Sequence, residues 1–450
     1  MPMLLRLCLT ATTVAAVTAI TAVAVGSSVW AQSTLAAADT ASLQSSAVAV
    51  TLEQAAANHP SVQSARQGRI GSEASYDAAR WQYYPSVSVV TERGGSETQR
   101  NLGTSSSTIL RLQQNLWAGG RIDASVSAAQ RRVQVAQLAV LETQLTVVSR
   151  TLDAWLALLT AFGRQQATQM GLTRLQHLAE MMGRRVDRDI SPGVDAVLMR
   201  SRVTQAKSDL LAQAAAQDNA KERLVQWIGQ PGSLHNLDST TLTQTLQDAA
   251  VRLPASTLVD MVDALEKQPA LRRNAAEVAL AQDEVEQKKA EVWPIVYARA
   301  ERQFTDPGAG GVGVKTAQNK LYLGLQYAPG AGLSVVSNIQ AASSRVAALE
   351  QDRESIRREL LDRVQTEWRD HITNAARLSS ARDAVSSASE VLESYTRLFV
   401  VGRRGWLDVL NAARELNQAE LGLADLQAQQ VTGLYRLQVY RGLFAWQLGS

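Results

Sequence analysis

Cysteine and proline are almost absent from this chain. Its only cysteine is Cys8, and 10 of its 450 residues are proline. A single thiol cannot form a disulfide within the chain. The long segments are rich in Ala, Gln, Leu, Arg and Ser, and with so few prolines they favour helix. We therefore predict a mainly helical protein without internal disulfides.

A strong net charge and enzyme motifs are also lacking. The formal net charge of +3 is mild and by itself argues neither for nor against a nucleic-acid partner; we expect none. Gly308-x-Gly-x-x-Gly313 formally matches a dinucleotide fingerprint, but it precedes a predicted strand, so we interpret it as a loop. We expect no catalytic residue, cofactor or metal. The histidines, which lack metal-ligand spacing, are His59, His177, His235 and His371.

One long apolar run is present, at the N-terminus. Arg6 precedes apolar residues from about Leu7 to Val25, and small residues follow up to Ala31. This pattern is typical of a secretory signal peptide over 1–31, with a membrane anchor as the alternative. No later run reaches the roughly 18 apolar residues of a membrane helix. If the mature chain enters a membrane, it must do so with strands.

An internal repeat organises the rest. The intervals 60–85 and 269–294 have the same length and each begins and ends with proline. Each predicts one helix that stops before its second proline. The offset of 209 positions is nearly kept at the far end of each half, where Asp195 and Asp408 are 213 apart. The chain is therefore predicted to contain two similar halves.

The repeat sets the predicted domain boundaries. A break in the helical pattern, rich in glycine and proline, lies between the halves and predicts a linker. We divide the chain into a signal peptide (1–31), an N-terminal extension (32–48), a first repeat (49–229), an inter-repeat linker (230–256) and a second repeat (257–450).

Two strand-like segments follow the helix in each half. Leu110 and Leu112 alternate with Arg111, and the other three segments show the same period of two. We expect the joining segments, about 93–108 and 305–320, to be loops rich in Gly, Ser and Thr. The predicted strands cover about 86–93, 109–117, 295–304 and 321–328.

Aromatic residues, only 5% of the sequence, cluster at or near the ends of these strands. Interfacial aromatics on strands with one apolar and one polar face are typical of an outer-membrane barrel. A soluble hairpin whose aromatics pack on a core is the alternative. The predicted membrane-interface aromatics are Trp81, Tyr83, Tyr84, Trp117, Trp293, Tyr322 and Tyr327.

Long helices follow the strands. Helical patterns run over about 118–189 and 333–401, the first being roughly 105 Å long, and they return over about 194–228 and 406–447. Such lengths imply coiled-coil-like packing of antiparallel hairpins. The residues predicted to form the two hairpin turns are Pro192 and Gly193 in the first, and Gly402 and Gly405 in the second.

Four strands cannot close a barrel, and open strand edges are not tolerated in lipid. Several chains must therefore pool their strands, and their helices would continue the barrel as a tube. The predicted fold is mainly α with a small β portion, and the predicted function is an oligomeric conduit. The alternative of a different class is a periplasmic coiled-coil scaffold or adaptor, which the duplication disfavours because adaptors have one hairpin.

Over roughly residues 45–450 the chain resembles the TolC family of outer-membrane channel proteins. The likeness rests on the duplicated order of elements, on Leu-Trp-Ala-Gly-Gly-Arg121, and on Gly402-Arg-Arg-Gly-Trp-Leu-Asp-Val-Leu-Asn-Ala412. The last motif is similar to members that serve type I secretion of large proteins, including adhesins. A multidrug or metal efflux channel is the alternative within the family.

The resemblance implies an assembly as well as a fold. It implies a homotrimer in the outer membrane of a Gram-negative cell, with four strands from each chain in a twelve-stranded barrel. It also implies a periplasmic helical tunnel that docks to a periplasmic adaptor and to an inner-membrane ABC transporter or proton-driven pump.

The resemblance further implies roles at the second tip. Asp408 matches a pore-constricting carboxylate, Arg404 a gating arginine, and Asp195 the acceptor of that arginine. Phe399 stands where a gating tyrosine is expected and Asn411 where a second carboxylate is expected. We expect a weaker latch, because Phe399 cannot donate a hydrogen bond. From spacing alone, a helix cap is the favoured role of Asp408, and only the resemblance favours the constriction.

Overall fold

The computed structural model describes residues 46–98, 101–229, 238–247, 256–306, 314–328 and 334–442. Several predictions fall outside these residues. They concern the signal peptide, the extension up to residue 45, the loop at 308–313, His235 and most of the linker.

Nine described helices and four strands follow one another along the chain. The helices are α1 (Ala47–Asn58), α2 (Pro60–Arg80), α3 (Arg121–Val186), α4 (Gly193–Ile228), α5 (Ser239–Gln247), α6 (Ser256–Asp263), α7 (Pro269–Ala290), α8 (Ser334–Val400) and α9 (Trp406–Arg441). The strands are β1 (Ser86–Thr98), β2 (Asn101–Trp117), β3 (Ile295–Asp306) and β4 (Thr316–Gln326). Short 3-10 turns cover Trp81–Tyr83 and Leu265–Lys267.

The chain divides into two compact units, and neither corresponds to one repeat. The first unit takes residues 1–57, 148–253 and 370–450, and the second takes 58–147 and 254–369. Each unit therefore combines segments from both halves of the sequence. The helices α3 and α8 each contribute residues to both units.

The predicted helices are confirmed, including their beginnings at proline. Both α2 and α7 start with proline as the first helical residue, a position where the missing N–H costs no hydrogen bond. The long helices α3 and α8 end within three residues of the predicted positions. Part of α3 is an 18-residue window apolar enough to cross a membrane, but 56% of that window is buried inside the protein, as in a core helix.

The second unit contains one antiparallel sheet in the order β1-β2-β3-β4. The central pair, β2 and β3, joins strands from the two halves. The predicted loop at 93–108 was wrong over its described part, because β1 and β2 stay paired as far as Thr98 and Asn101. Backbone pairing satisfies the amides whatever the side chain, so Gly, Ser and Thr continue the hairpin. Likewise, β3 and β4 extend to Asp306 and Thr316.

The first unit has a helical core around α1, α3 and α9. Trp155 is fully buried and donates its indole N–H to Thr51 Oγ1 at 2.8 Å. Tyr435 of α9 is also buried and donates to Ser46 Oγ at 2.8 Å. Burying these aromatic side chains with their polar atoms paired gives the large apolar contribution without an unsatisfied donor.

Candidate functional site

The second hairpin tip, between α8 and α9, is closed by a Schellman motif. Gly402 has a φ of +74° and donates its N–H to the Phe399 carbonyl at 3.0 Å. The N–H of Arg403 reaches the Leu398 carbonyl at 2.9 Å. This pair of bonds satisfies two carbonyls at the end of α8, and glycine supplies the left-handed backbone without steric cost.

The first tip, between α3 and α4, repeats this geometry without glycine. Asp189 has a φ of +55° and donates its N–H to the Val186 carbonyl at 3.0 Å, while Ile190 N–H reaches the Arg185 carbonyl at 2.9 Å. Asp189 and Gly402 are 213 positions apart, the same offset that separates Asp195 from Asp408. Sequence reasoning missed Asp189, although short polar residues tolerate this conformation.

The other predicted turn residues lie at the starts of the returning helices. Pro192 is the N-cap of α4 in an extended conformation, and Gly193 is the first helical residue. Gly405 is the N-cap of α9. The turns therefore place a left-handed residue at the end of one helix and an extended residue before the next.

Asp195 and Asp408 occupy the same place in the two hairpins, the third residue of α4 and of α9. Asp408 Oδ2 accepts the Gly405 N–H at 3.3 Å, so the carboxylate does cap its helix. The capping carboxylate still contacts solvent: 43% of the Asp408 side chain is exposed.

Arg404 lies over the ring of Tyr395, with its guanidinium carbon 4.6 Å from the centroid. Its Nη1 is 3.7 Å from Asp408 Oδ2. Within the single described chain its ion partner is thus Asp408 and not Asp195. A contact between Arg404 and Asp195 stays a prediction for contacts between chains.

Asp408 and Asn411 lie on the exposed side of α9, one turn apart, while Trp406 and Val409 are buried on its other side. The same exposed side continues to Glu415, seven residues after Asp408, which is two helical turns.

Phe399 is inside the tip and not on its surface. Its side chain is 7% exposed, and its ring lies 4.9 Å from the ring of Trp406 at an interplanar angle of 45°. Both belong to a buried cluster, here called the tip core, that joins α3, α4, α8 and α9. The tip core comprises Leu178, Met182, Met199, Leu392, Phe399, Trp406, Val409, Ala412, Ala413 and Leu416.

Arg185 also joins the two tips, and sequence reasoning missed it. Its guanidinium carbon lies 4.7 Å from the centroid of the Phe399 ring. Its Nη1 donates to the Val400 carbonyl at 3.3 Å, and its Nε donates to Ser191 Oγ at 3.2 Å. The only sequence signal was a basic residue in the last turn of a helix, where its positive charge interacts favourably with the helix dipole.

The sheet of the second unit exposes its apolar face. Val87, Leu112, Ala300 and Leu321 are paired in one row across the four strands and share that face, as predicted from the alternation. The exposed fractions are 68% for Val87, 45% for Leu112 and 82% for Leu321. An apolar surface of this extent requires a partner or lipid.

The opposite face is polar and better covered. Ser88, Arg111, Glu301 and Lys320 form the neighbouring row. Arg111 Nε donates to Glu301 Oε1 at 2.7 Å, and Arg299 Nε is 3.2 Å from the same oxygen. The Glu301 side chain is only 10% exposed. The sheet is thus apolar towards solvent and polar on its covered face.

Most of the predicted aromatics lie at one end of the strands, where β1 and β3 begin and β2 and β4 end. Trp117 and Trp293 pack edge to face with centroids 6.1 Å apart. Tyr322 is different, because it pairs with Arg299 in mid-strand and that guanidinium lies 4.7 Å from its ring. The aromatics at these strand ends are Trp81, Tyr83, Tyr84, Trp117, Trp293 and Tyr327.

The Ala-Gly-Gly-Arg121 motif makes the turn from β2 into α3. Gly119 and Gly120 have φ values of +61° and +83°. A Cβ at Gly119 would lie 2.4 Å from Trp293 Cβ, so the chain passes too close to Trp293 for any side chain. The motif is therefore explained by backbone conformation and close packing.

The histidines have different surroundings. His59 Nδ1 accepts the Ser61 N–H at 3.2 Å at the start of α2, and desolvation lowers the pKa of His59. His371 is only 3% exposed, and burial lowers its pKa as well. Among the described residues, no group of three His, Cys, Asp or Glu side chains is placed to hold a metal ion.

Comparison with solved structures shows the fold. The outer membrane protein VceC from Vibrio cholerae superposes with a TM-score of 0.70 at 16% identity, covering 88% of this chain and 96% of that one. CusC gives a TM-score of 0.70 at 16% identity, covering 88% and 92%. The open-state MtrE outer membrane channel of Neisseria gonorrhoeae gives 0.66 at 17% identity, covering 88% of each chain.

Sequence comparison shows the family. No curated protein matches the chain significantly. Residues 51–230 and 261–443 match the family described as outer membrane efflux protein, and these segments span most of both predicted repeats. The resemblance to TolC-family channels is confirmed. The chain therefore belongs to the outer membrane efflux protein family, whose members are outer-membrane channels and not enzymes.

Proposed function

We propose that three copies of this chain form a passive export duct across the outer membrane. One observation carries the proposal: the sheet presents Val87, Leu321 and other apolar residues to the outside while Arg111 and Glu301 pair on the other face. Soluble sheets bury their apolar face, whereas transmembrane barrels turn it towards lipid and keep polar residues in the lumen.

The number of strands supports pooling between copies. Among the described residues of one chain, β1 and β4 are the edge strands of the sheet, so each has a row of backbone groups without a strand partner. Such groups cannot stay unpaired in lipid. Pairing β4 of one copy with β1 of the next removes every edge, and three copies give twelve strands.

The tips are the proposed place where other components engage. A periplasmic adaptor and an inner-membrane ABC transporter would dock there and open the duct, with Asp408 and Asn411 as the constriction and Arg404, Asp195 and Phe399 as the latch. Support comes from exposed apolar side chains at both tips, a surface that favours protein contact. They are Ile190, Val194, Val197, Val400, Val401 and Leu407.

The proposed cargo is large proteins, exported by type I secretion. The support is the motif from Gly402 to Ala412, which resembles secretion members of the family. The second candidate is efflux of drugs or metals, which the description of the matched family favours. Deleting the gene distinguishes them: loss of a secreted protein from the medium supports secretion, and increased drug or metal sensitivity alone supports efflux.

The duct itself is tested with purified full-length protein in planar lipid bilayers. We expect discrete conductance steps and an SDS-resistant, heat-sensitive trimer. A monomer that stays soluble without detergent and gives no conductance would contradict the duct and support the scaffold alternative.

A further inference from the structure

Arg185 is placed between the two hairpin tips of the chain. It is the second-to-last residue of α3, and it is half-buried. One edge of its guanidinium contacts the first tip, where Nε donates to Ser191 Oγ at 3.2 Å. The group also contacts the second tip, where Nη1 donates to the Val400 carbonyl at 3.3 Å. A single side chain therefore bonds both tips.

The charge of Arg185 is favourable at this place for two reasons. The helices α3 and α8 both end here, at Val186 and Val400, and their C-terminal carbonyls present partial negative charge. The guanidinium also lies 4.7 Å from the centroid of Phe399, within the distance at which a cation is attracted to an aromatic face. The attractions to the end of α8 and to Phe399 require the two tips to stay adjacent.

Phe399 links Arg185 to the helix that bears Asp408, the proposed constriction residue. Its ring packs against Trp406, with centroids 4.9 Å apart, and it is 7% exposed. Trp406 is the first residue of α9 and precedes Asp408 by two positions. Arg185, Phe399 and Trp406 thus form a continuous series of contacts from the end of α3 to the helix turn that bears Asp408.

We propose that Arg185 is a positioning residue that latches the tip closed, through a cation–π contact with Phe399 and a hydrogen bond to the Val400 carbonyl. The proposal rests on the proposed duct. It changes the expectation from sequence that phenylalanine weakens the latch. Phe399 cannot donate a hydrogen bond, but the face of its ring attracts the positive charge of Arg185.

A matched set of variants separates the latch from a general loss of charge. Arg184, the preceding residue, is exposed and has the same charge, so Arg184→Ala is the control. Arg185→Ala removes both contacts. Arg185→Lys keeps the charge but loses the planar fork. Phe399→Leu keeps an apolar side chain but removes the aromatic face.

The measurement is single-channel recording of the full-length trimers, with thermal stability of each trimer measured alongside. We expect Arg185→Ala and Phe399→Leu to raise the open probability by about threefold to tenfold, the range that one cation–π contact supports. The double variant should not exceed Arg185→Ala, because the contact that Phe399→Leu removes is already lost when Arg185 is replaced. Arg185→Lys should fall between Arg185→Ala and the wild type, and Arg184→Ala should match the wild type.

The outcomes distinguish the latch from the duct. Absence of any conductance in the wild type would refute the duct on which the latch rests. Conductance in the wild type, with Arg185→Ala equal to Arg184→Ala, would leave the duct standing and refute the latch. If Arg185→Ala does not assemble, an open probability of Arg185→Lys equal to that of Arg184→Ala refutes the latch instead.

Discussion

At the residue scale, Asp408 caps α9 while 43% of its side chain stays exposed. Asn at this position keeps a cap acceptor, so we expect Asp408→Asn to change stability by less than about 0.5 kcal/mol. Removing the charge should nevertheless lower cation selectivity, measured as the reversal potential in a salt gradient. The control is Asp209→Asn, an exposed carboxylate of α4. Unchanged selectivity in Asp408→Asn would exclude a carboxylate constriction.

His371 makes stability depend on pH. Burial lowers its pKa from the ordinary value of 6.5, so the folded protein keeps it neutral while the unfolded chain binds a proton below that pH. Stability should therefore fall as pH drops below 6.5 towards the lowered folded pKa.

The measurement is the thermal midpoint of the trimer at about pH 7.5 and about pH 5, where an ordinary histidine changes its charge. We expect His371→Leu to reduce the loss of stability at the lower pH, and exposed His177→Gln to leave it unchanged. A loss in His371→Leu as large as that in the wild type would mean that other groups cause it.

At the scale of the element, the sequence predicted what periodicity and proline control. The starts of α2 and α7 at proline and the alternation along β2 follow from local rules, and the structure has both. The hairpin extension beyond Arg93 could not be predicted, because it depends on pairing with β2 and not on side chains. Tyr322 was assigned to the interface for its residue type, although its position in β4 places it opposite Arg299.

The tip shows the same limit. Asp195 and Asp408 were matched correctly by their offset, since position along a helix is a local property. The contact of Arg185 with Phe399 joins residues more than 200 positions apart, so no local pattern announces it. Contacts of this kind need the packing of the two hairpins before they can be seen.

The two faces of β4 give a prediction for the element. Leu323 is 77% exposed on the apolar face, whereas Gln318 lies on the polar face with Gln303. We expect Leu323→Arg to prevent stable insertion, because an arginine facing mid-bilayer costs about 2–4 kcal/mol. Gln318→Arg should insert normally. The measurement is the heat-sensitive trimer band from outer-membrane fractions, and equal bands would contradict the assignment of faces.

At the scale of the whole molecule, closure requires β1 of one copy beside β4 of the next. The only cysteine of the sequence is Cys8, within the predicted signal peptide, so cysteines introduced into the strands would have no native competitor once that peptide is cleaved. We place one cysteine at Val87 of β1, and the second in turn at Leu321, Leu323 or Leu325 of β4, because the register between copies sets which position fits.

At least one of these pairs should crosslink into dimers and trimers on mild oxidation, seen by non-reducing electrophoresis. In the control, Leu112→Cys on β2 replaces Val87→Cys and is combined with the same β4 cysteines. It should not crosslink, since β2 has β1 and β3 of its own chain on both sides and cannot meet β4 of another copy. Crosslinking in none of the three pairs, or equally from Leu112, would mean that the copies do not close edge to edge. The exposed apolar face would then need another cover than lipid.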